Sequence, residues 1–314
     1  MAPANRNNPI RQRSSDSQYS LMEFMRDFPD DATCLEWLWR TRYSEDGTHA
    51  ECPRCEQIRP FKRYALAQRR QSWTCTTCGW HVQPTAGTIF QKSSTSLHLW
   101  FYAMYLMTST RCGISAKQLE REIGVNHKTA WRMCHLIRHE LMADEDPAQL
   151  SGEVETDETY IGGRRRGLGN RGRPKPGQTH YVAVLGMVQR KGRVIATVVP
   201  DVKTKTVMPH VMRRVLPSTV IYTDENLTYK NLGKRGFQHR RIHHQEHVYV
   251  MGDVHTNTIE GFWSLVKRGL SGVYHSVSAK HLQGYLNEYA WRYNHRNEGR
   301  AQFASLIERA ATEV

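Results

Sequence analysis

The chain has 314 residues, of which 39% are hydrophobic, so it is long enough for two or three domains with a buried core. Its 44 lysines and arginines against 30 acidic residues give a net charge of +14, which favours a polyanionic partner, although a basic surface can also serve solubility. No stretch approaches the roughly 18 consecutive apolar residues of a membrane span, and the N-terminus lacks an apolar signal core, so no membrane association and a cytoplasmic location are expected.

The N-terminal region divides into two predicted segments. Residues 1–20 contain arginines and serines with a single acid, a composition that predicts a disordered arm, with a transit peptide as the alternative. Residues 21–45 predict a helical lead-in that is interrupted at Pro29. The apolar residues that recur there at helical spacing are Leu21, Met25, Phe28, Leu35 and Leu38.

Two Cys-x-x-Cys pairs lie within residues 46–92, in a spacing typical of a zinc ribbon. The four thiols belong to Cys52, Cys55, Cys75 and Cys78. They predict one structural Zn²⁺, with iron or unligated thiols as the alternatives. The odd total of seven cysteines and their close pairing argue for a reducing compartment rather than for disulfides. The remaining three lie in helical patterns and are expected to be small core residues: Cys34, Cys112 and Cys134.

Residues 93–146 predict a helix-turn-helix segment. Two stretches with apolar residues at helical spacing flank Gly124, which marks the turn. The second helix of such a motif enters the major groove of DNA. The residues near its start that we expect to face DNA are Asn126, His127, Lys128 and Arg132. Ordinary packing of two helices against a core is the alternative.

Residues 150–300 predict a further domain of the α/β class, in which strands and helices alternate. The predicted strands cover residues 152–161, 179–189, 193–199, 219–224 and 238–243, and the main predicted helices cover 203–216, 256–268 and 279–297. This order predicts a mixed sheet flanked by helices. Residues 301–314 are expected to be a C-terminal tail.

A loop rich in glycine and basic residues follows the first predicted strand of this domain. It contains the consecutive residues Arg164, Arg165 and Arg166. We expect these arginines to follow DNA phosphates through a flexible backbone. A disordered insertion is the alternative.

Three acids stand out because of their positions in the predicted elements. Asp157 ends an alternating strand pattern, Asp224 follows the apolar run of another strand, and Glu260 lies in a helical pattern. Each of them alone can be a solvated surface charge. Carboxylates gathered from separate elements can instead hold two divalent cations about 3.5–4 Å apart, which clamp the attacking and leaving oxygens in phosphoryl transfer.

The helical pattern that carries Glu260 has two different faces. Its polar face contains Asn257, Glu260, Ser264 and Lys267. Its apolar face contains Ile259, Phe262, Trp263 and Val266. We expect the apolar face to anchor the helix on a core, while Glu260 binds metal and Lys267 contacts a DNA phosphate.

Three segments resemble DDE transposases of bacterial insertion sequences, in particular the ISXO-type enzymes, which carry an N-terminal zinc ribbon. The segments are Val154-Glu-Thr-Asp157-Glu-Thr-Tyr-Ile-Gly-Gly163, Tyr222-Thr-Asp224 and His255-Thr-Asn-Thr-Ile-Glu260-Gly-Phe-Trp-Ser-Leu-Val-Lys267-Arg-Gly. The resemblance extends over about residues 20–300. It implies an RNase H-like catalytic fold, binding of double-stranded DNA at terminal inverted repeats and at a target, and metal-dependent strand cleavage and strand transfer.

The resemblance also implies roles for individual residues. The catalytic set it implies is Asp157, Asp224, Glu260 or Asn257, and Lys267, with two Mg²⁺ or Mn²⁺ ions per active site. Arg268 is a further expected DNA contact. Glu260 is favoured over Asn257 as the third ligand, because a charged oxygen binds a hard cation better than an amide does. A homo-oligomer in the DNA complex and association with the nucleoid are implied as well.

Two other functions are compatible with these residues. One is a structure-specific nuclease on the same fold, and the other is a domesticated DNA-binding protein without catalysis. The predicted ribbon and helix-turn-helix favour transposition over a nuclease, since recognition of element ends needs specific DNA reading. The presence of all three acids argues against a protein that has lost catalysis.

Overall fold

The computed structural model describes residues 19–64, 72–110, 112–143, 149–162, 181–224, 227–241, 256–298 and 301–312. The α-helices in these ranges are α1 (Leu21–Asp27), α2 (Asp31–Arg42), α3 (Leu97–Ser109), α4 (Ala116–Ile123), α5 (His127–Leu136), α6 (Thr204–Arg214), α7 (Asn257–Gly272), α8 (Leu282–Asn294) and α9 (Ala301–Ala311). The strands are β1 (His49–Cys52), β2 (Gln57–Tyr64), β3 (Ser72–Cys75), β4 (His81–Val82), β5 (Glu153–Gly162), β6 (Tyr181–Gln189), β7 (Val194–Val199), β8 (Val220–Thr223) and β9 (Gln238–Arg241). Short helical turns cover Ile137–Leu141, Leu227–Tyr229, Gly233–Arg235 and Ala279–His281. None of the helices in the described ranges combines the length and the apolar character needed to cross a membrane.

The described residues fall into two compact units. The first unit takes its residues from Met1–Arg111, Ala116–Leu141 and Asn297–Val314, and the second from Cys112–Ser115 and Met142–Arg296. The chain end differs from the tail expected for residues 301–314, because most of it forms α9 and belongs to the first unit. Phe303 of α9 stacks on Tyr19 at 5.1 Å between ring centroids and lies edge-on to Phe24 at 5.7 Å. Buried aromatic contacts of this kind hold α9 in place.

The predicted lead-in forms two helices, α1 and α2, on either side of Pro29. Ser20 and Glu23 make a capping box at the start of α1. The carboxylate of Asp30 accepts a hydrogen bond from the N–H of Thr33 at 2.7 Å and caps α2. Each helix therefore has its own start signal in the sequence, and the break at Pro29 separates them.

Strands β1 to β4 form an antiparallel sheet in sequence order. Cys52 ends β1 and Cys75 ends β3, so the sheet places the two Cys-x-x-Cys turns at one end. Trp39 of α2 stacks on Trp73 of β3 with 4.9 Å between ring centroids and 9° between ring planes. This stacking attaches the small sheet to the lead-in helices.

Helices α4 and α5 are separated by a short turn that begins at Gly124. Gly124 has φ +67°, a left-handed conformation that glycine adopts without steric cost. The side chain of Asn126 accepts a hydrogen bond from the N–H of Thr129 at 2.9 Å and caps α5. The first helix, the turn and the second helix thus have the order expected from the sequence.

The second unit contains a five-stranded sheet with the order β7-β6-β5-β8-β9. β6 is antiparallel to both β5 and β7, whereas β8 is parallel to β5 and β9 is parallel to β8. Strands β5, β6 and β7 are antiparallel neighbours, and β8 and β9 continue the sheet in parallel on the other side of β5. This is the RNase H-like strand order. The predicted mixed sheet flanked by helices is therefore confirmed.

Helices cover both faces of this sheet. The core on the α6 face includes Val207, Met208 and Val211. The core on the face of α7 and α8 includes Ile259, Phe262, Val266 and Leu286. Alternate residues of β6 enter the two cores, as the period of a strand requires. The central strand β5 consequently runs between two apolar layers, where a polar side chain needs a protein partner.

Side chains of α8 close the edge of the sheet at β7. Asn294 accepts a hydrogen bond from the N–H of Val194 at 2.7 Å and donates one to its C=O at 3.0 Å. Gln283 accepts from the N–H of Val198 at 2.8 Å and donates to the C=O of Ala196 at 3.1 Å. These amides take the place of a neighbouring strand and block pairing of this edge with another chain.

Candidate active site

Asp157 and Asp224 come together through the parallel pairing of β5 with β8. In this pairing Glu153 lies opposite Val220 and Glu155 lies opposite Tyr222. The same register, continued by two residues, places Asp224 beside Asp157. Neighbouring strands are about 4.8 Å apart, so the sheet brings two distant carboxylates side by side.

The two faces of β5 carry different functions. Val154 and Glu158 face the α6 side, where Val154 is part of the core and Glu158 contacts Tyr229. Glu155 and Asp157 face α7, with which both make hydrogen bonds. The alternation of a strand therefore directs the catalytic candidate Asp157 toward the helix that carries Glu260.

Asp157 lies in a crowded, negatively charged environment. Burial raises the pKa of its carboxyl group to about 6, and the charges of Asp224 and, to a smaller extent, Glu260 act in the same direction. A hydrogen bond of 3.1 Å from Nε1 of Trp263 to Oδ2 of Asp157 acts in the opposite direction. The pairing of β5 with β8 sets Asp224 beside Asp157, and the Trp263 bond ties Asp157 to α7, the helix that carries Glu260.

Helix α7 is fastened to β5 by Glu155, which is fully buried. The carboxylate of Glu155 accepts hydrogen bonds from the N–H groups of Thr258 and Ile259 at 2.8 and 2.9 Å and from the hydroxyl of Thr258 at 2.9 Å. The first N–H groups of a helix lack partners within the helix and favour a negative charge. Glu155 supplies that charge from the sheet and thereby fixes the first turn of α7, in which Glu260 lies.

The buried charge of Glu155 is compensated by Arg190, which follows β6. Nε of Arg190 donates a hydrogen bond to Glu155 at 2.8 Å, and one of its terminal nitrogens lies 3.4 Å from Glu153. The guanidinium also lies 4.1 Å from the centroid of the Tyr222 ring. A charge-assisted hydrogen bond and an aromatic face thus stabilise this ion pair inside the sheet.

The two candidates for the third ligand occupy the first turn of α7. Glu260 is exposed and its carboxylate accepts a hydrogen bond from the hydroxyl of Thr256 at 2.9 Å. Asn257, the first residue of α7, is also exposed. The charge of Glu260 makes the smallest of the contributions that raise the pKa of Asp157, after burial and the charge of Asp224.

Two of the predicted DNA-contacting residues near this site lie on α7. Lys267 and Arg268 are exposed on α7, about two turns beyond Glu260. Nε of Arg268 donates to the C=O of Ser264 at 3.3 Å. The three arginines predicted to follow phosphates lie outside the described residues: Arg164, Arg165 and Arg166.

Tyr229 supports the site from the opposite face of the sheet. It is buried, and its hydroxyl donates a short hydrogen bond to Glu158. Burial, and then the charge of Glu158, raise the pKa of Tyr229 well above its usual range, so it stays a hydrogen-bond donor. Glu158, the residue after Asp157, is therefore held in place by Tyr229, which follows β8 in the chain.

Four residues of this site were not predicted from the sequence: Glu155, Trp263, Arg190 and Tyr229. Glu155 has no predicted role of its own, although it shares its strand face with Asp157 at a spacing of two residues. Trp263 was predicted only to anchor α7 on the core, where it is indeed buried. Its contact with Asp157 carries no signal in the sequence, because it depends on how the helix crosses the strand.

The four cysteines of the small sheet converge on one point. Their sulfur atoms all lie within 4.8 Å of one another, and Sγ of Cys52 is 3.5 Å from Sγ of Cys78. Tetrahedral Zn–S bonds of about 2.3 Å place sulfurs roughly 3.8 Å apart. The cluster therefore has the donors and spacing to hold one metal ion. Of the other cysteines, Cys34 and Cys134 are buried as predicted. The prediction for Cys112 is wrong, since this residue is exposed and lies outside the helices.

The residues predicted to face DNA from the helix-turn-helix segment lie at the start of α5. His127, Lys128 and Arg132 are exposed there. Asn126 is also exposed, but its side-chain oxygen already accepts the hydrogen bond that caps α5. Trp131 adds a partly exposed aromatic ring to the same surface. The exposed side chains of Lys128 and Arg132 make this surface basic.

Comparisons with known proteins agree on a family. The model of the ISXO2-like transposase domain matches residues 149–294. An uncharacterized protein in transposable element ISH50 of Halobacterium salinarum is 29% identical over 277 residues, which cover 82% of this chain and 90% of that protein. An uncharacterized transposase-like protein of Haemophilus influenzae is 33% identical over 116 residues, 37% of this chain and 92% of that protein.

One solved structure is also similar in part. A chain from a crystal structure of a pre-cleavage Mos1 transpososome has a TM-score of 0.27 and 11% sequence identity, covering 63% of this chain and 75% of that chain. This similarity is too weak to support any inference about the present chain.

Proposed function

The chain belongs to the ISXO2-like transposase family, and we propose that it binds the terminal inverted repeats of an insertion sequence and there cleaves and transfers DNA strands. The observation that carries the proposal is the parallel pairing of β5 with β8, which sets Asp224 beside Asp157, together with the hydrogen bonds that hold α7, the helix of Glu260, against β5. Carboxylates gathered in this way suit a reaction at a phosphodiester, whose transferred group must be held and neutralised.

The residues present fit divalent cations. Asp157 and Asp224 with Glu260 offer hard oxygen donors, the ligand type that Mg²⁺ and Mn²⁺ prefer. Burial and the charges of its two neighbours disfavour the ionised form of Asp157, and a cation relieves this repulsion. These three carboxylates would hold two ions per active site. When bound, the ions supply Lewis-acid activation of the phosphodiester and stabilise the departing 3′ oxygen.

The protein would also position these carboxylates and neutralise the bound DNA. The register of β5 and β8 keeps the two aspartates together, and Glu155 holds the first turn of α7 against β5. Lys267 is exposed on the same helix and would neutralise a DNA phosphate. Fixed geometry of this kind lowers the cost of bringing the reacting groups together.

Recognition of the element ends is assigned to the first unit. Lys128 and Arg132 are exposed on α5, the helix that would enter the major groove. The four-cysteine cluster would hold one Zn²⁺, which stabilises the small sheet. Assembly of two ends is expected to require at least two copies of the chain.

The proposal is tested with DNA that carries the inverted termini flanking the gene. In the presence of Mg²⁺, the protein is expected to cut at the terminus and to join the freed 3′ end to a second DNA. Chelation of divalent cations with EDTA should reduce both products to background, since the three carboxylates alone provide no electrophile. Sequencing gels that map the nicks, and a gel assay for joined products, provide the measurement.

The pattern of products separates transposition from the alternatives. A structure-specific nuclease would nick DNA without preference for the termini and would join nothing. A non-catalytic DNA-binding protein would shift the terminal DNA in a gel and leave it intact. Either pattern would overturn the proposal.

Replacing Cys52 and Cys55 together with serine should release the bound zinc and unfold the small sheet, because two of four ligands are lost. We expect DNA-end binding to weaken at least about tenfold, since a folded ribbon next to the helix-turn-helix contributes to the interface. Zinc content and a fluorescence titration with terminal DNA measure the two effects. Cys112→Ser, at an exposed thiol outside the cluster, is the matched control. Unchanged affinity in the double variant would remove the ribbon from DNA binding.

A further inference from the structure

We infer that Trp263 is a positioning residue for the metal site, because its indole N–H holds the carboxylate of Asp157 in one orientation. The inference rests on the proposed function, since it concerns the same carboxylates. It extends that function because it gives a role in the metal site to Trp263, a residue on the buried face of α7 that is otherwise expected only to pack against the core.

The contact is a hydrogen bond between the N–H of a buried indole ring and a carboxylate. Nε1 of Trp263 donates to Oδ2 of Asp157 at 3.1 Å, and only 4% of Trp263 is exposed. A buried indole N–H needs an acceptor, and a carboxylate is a strong one. The bond engages one oxygen of Asp157 and restricts rotation of the carboxyl group, whose further lone pairs can bind a cation.

The sheet provides the space that this contact requires. Gly186 of β6 lies directly opposite Asp157 in the antiparallel pair. A Cβ atom at Gly186 would lie 2.3 Å from Cζ2 of Trp263 and 2.8 Å from Cδ1 of Ile259, distances that no packed structure tolerates. The absence of a side chain at Gly186 thus lets the indole ring lie against the sheet beside Asp157.

A purely structural role for Trp263 makes a different prediction. Trp263 packs beside Phe262, with 5.3 Å between ring centroids, and both side chains are buried. If packing were the whole role, a phenylalanine at position 263 would lower stability without changing how the site binds cations. If orientation of Asp157 matters, loss of the N–H must weaken cation binding even where the fold is kept, as for other partners of metal ligands.

The test compares Trp263→Phe with Phe262→Leu. Binding of Mn²⁺ is followed without DNA, as the rise in melting temperature with ion concentration, with Asp157→Asn as the variant that reports loss of the site. Trp263→Phe is expected to raise the Mn²⁺ concentration at half-saturation by about 10- to 100-fold, the usual range for loss of a group that orients a metal ligand. Phe262→Leu is expected to lower the melting temperature but to leave half-saturation unchanged. The Mg²⁺ requirement for cleavage of terminal DNA should shift in parallel.

A second variant guards against a failure of Trp263→Phe to fold. Gly186→Ala keeps the indole N–H but displaces the ring from Asp157, so it should raise the half-saturating Mn²⁺ concentration in the same direction. Equal half-saturation in wild type and in both variants would overturn the inference while leaving the proposed function intact. A wild-type protein whose melting temperature does not respond to Mn²⁺, and which does not cut terminal DNA, would overturn both.

Discussion

Substitution of Asp157 or Asp224 by asparagine is expected to reduce cleavage and joining of terminal DNA by about a thousandfold or more. Asparagine keeps the shape of the side chain but removes the charge that binds a cation, and a bound cation contributes several kcal/mol to transition-state stabilisation. Binding of the terminal DNA should persist, because it is assigned to the first unit. Cleavage rates and a gel-shift titration, measured on the same preparations, separate the two effects.

The same substitution at Asp157 should not destabilise the fold. Burial and the charge of Asp224 raise the pKa of Asp157 to about 6, so its ionised form is less favourable in the folded protein than in the unfolded chain. At neutral pH this ionised carboxylate lowers stability, and neutral asparagine removes the penalty. An equal or higher melting temperature together with lost cleavage would identify the charge as functional. Wild-type cleavage by either variant would contradict the assignment.

The choice between Glu260 and Asn257 follows from the same assay. If Glu260 is the third ligand, Glu260→Gln should lose cleavage to a similar extent as the two aspartate variants, while Asn257→Ala retains most of it. The reverse order would assign the role to Asn257. Both residues are exposed in the first turn of α7, so neither change leaves a cavity in the core.

Much of the catalytic fold could be predicted from local patterns in the sequence. The strand expected at 152–161 is β5 at Glu153–Gly162, and the one expected at 219–224 is β8 at Val220–Thr223. Alternation and short apolar runs are properties of the segment itself, so they survive without knowledge of the fold. The pairing of β5 with β8 is different, because it depends on the intervening strands and on α6. The sequence could therefore identify Asp157 and Asp224 as candidate ligands, but it could not give the register of β5 with β8 that sets them side by side.

The residues that hold the site were harder to predict for a related reason. Glu155 is charged, and charged residues are rarely buried without a partner. Its partners are the start of α7 and Arg190, which lie far away in the sequence. Burial of a charge is a consequence of tertiary structure, so composition and periodicity do not predict it. The spacing of Glu155 and Asp157 was the one local hint that both face the same helix.

Substitution of Glu155 by alanine is expected to cost about 3–5 kcal/mol of stability, because it leaves the largely covered guanidinium of Arg190, 12% accessible, without its main partner. It also leaves the N–H groups of Thr258 and Ile259 without their acceptor at the start of α7. For a unit of this size the melting temperature should fall by roughly 6–20 °C. Cleavage should fall as well, even at temperatures where circular dichroism shows a folded protein, since Glu260 lies in the turn that Glu155 anchors.

Glu153→Ala is the matched control, because Glu153 lies on the same strand, also contacts Arg190, and is about half exposed, with 48% of its side chain accessible. Glu153→Ala removes an exposed ion pair that contributes at most about 1 kcal/mol and the hydrogen bond that Glu153 accepts from the Tyr222 hydroxyl at 2.9 Å. This variant should therefore melt only a few degrees below wild type, well above Glu155→Ala, and cleave normally. Glu155→Gln refines the comparison, since it keeps one acceptor oxygen for the helix while it removes the charge that Arg190 needs. It should fall between the other two in stability. If Glu155→Ala and Glu153→Ala melted at the same temperature, the anchoring of α7 by Glu155 would be wrong, and the position of Glu260 would have to depend on the apolar face of α7 alone.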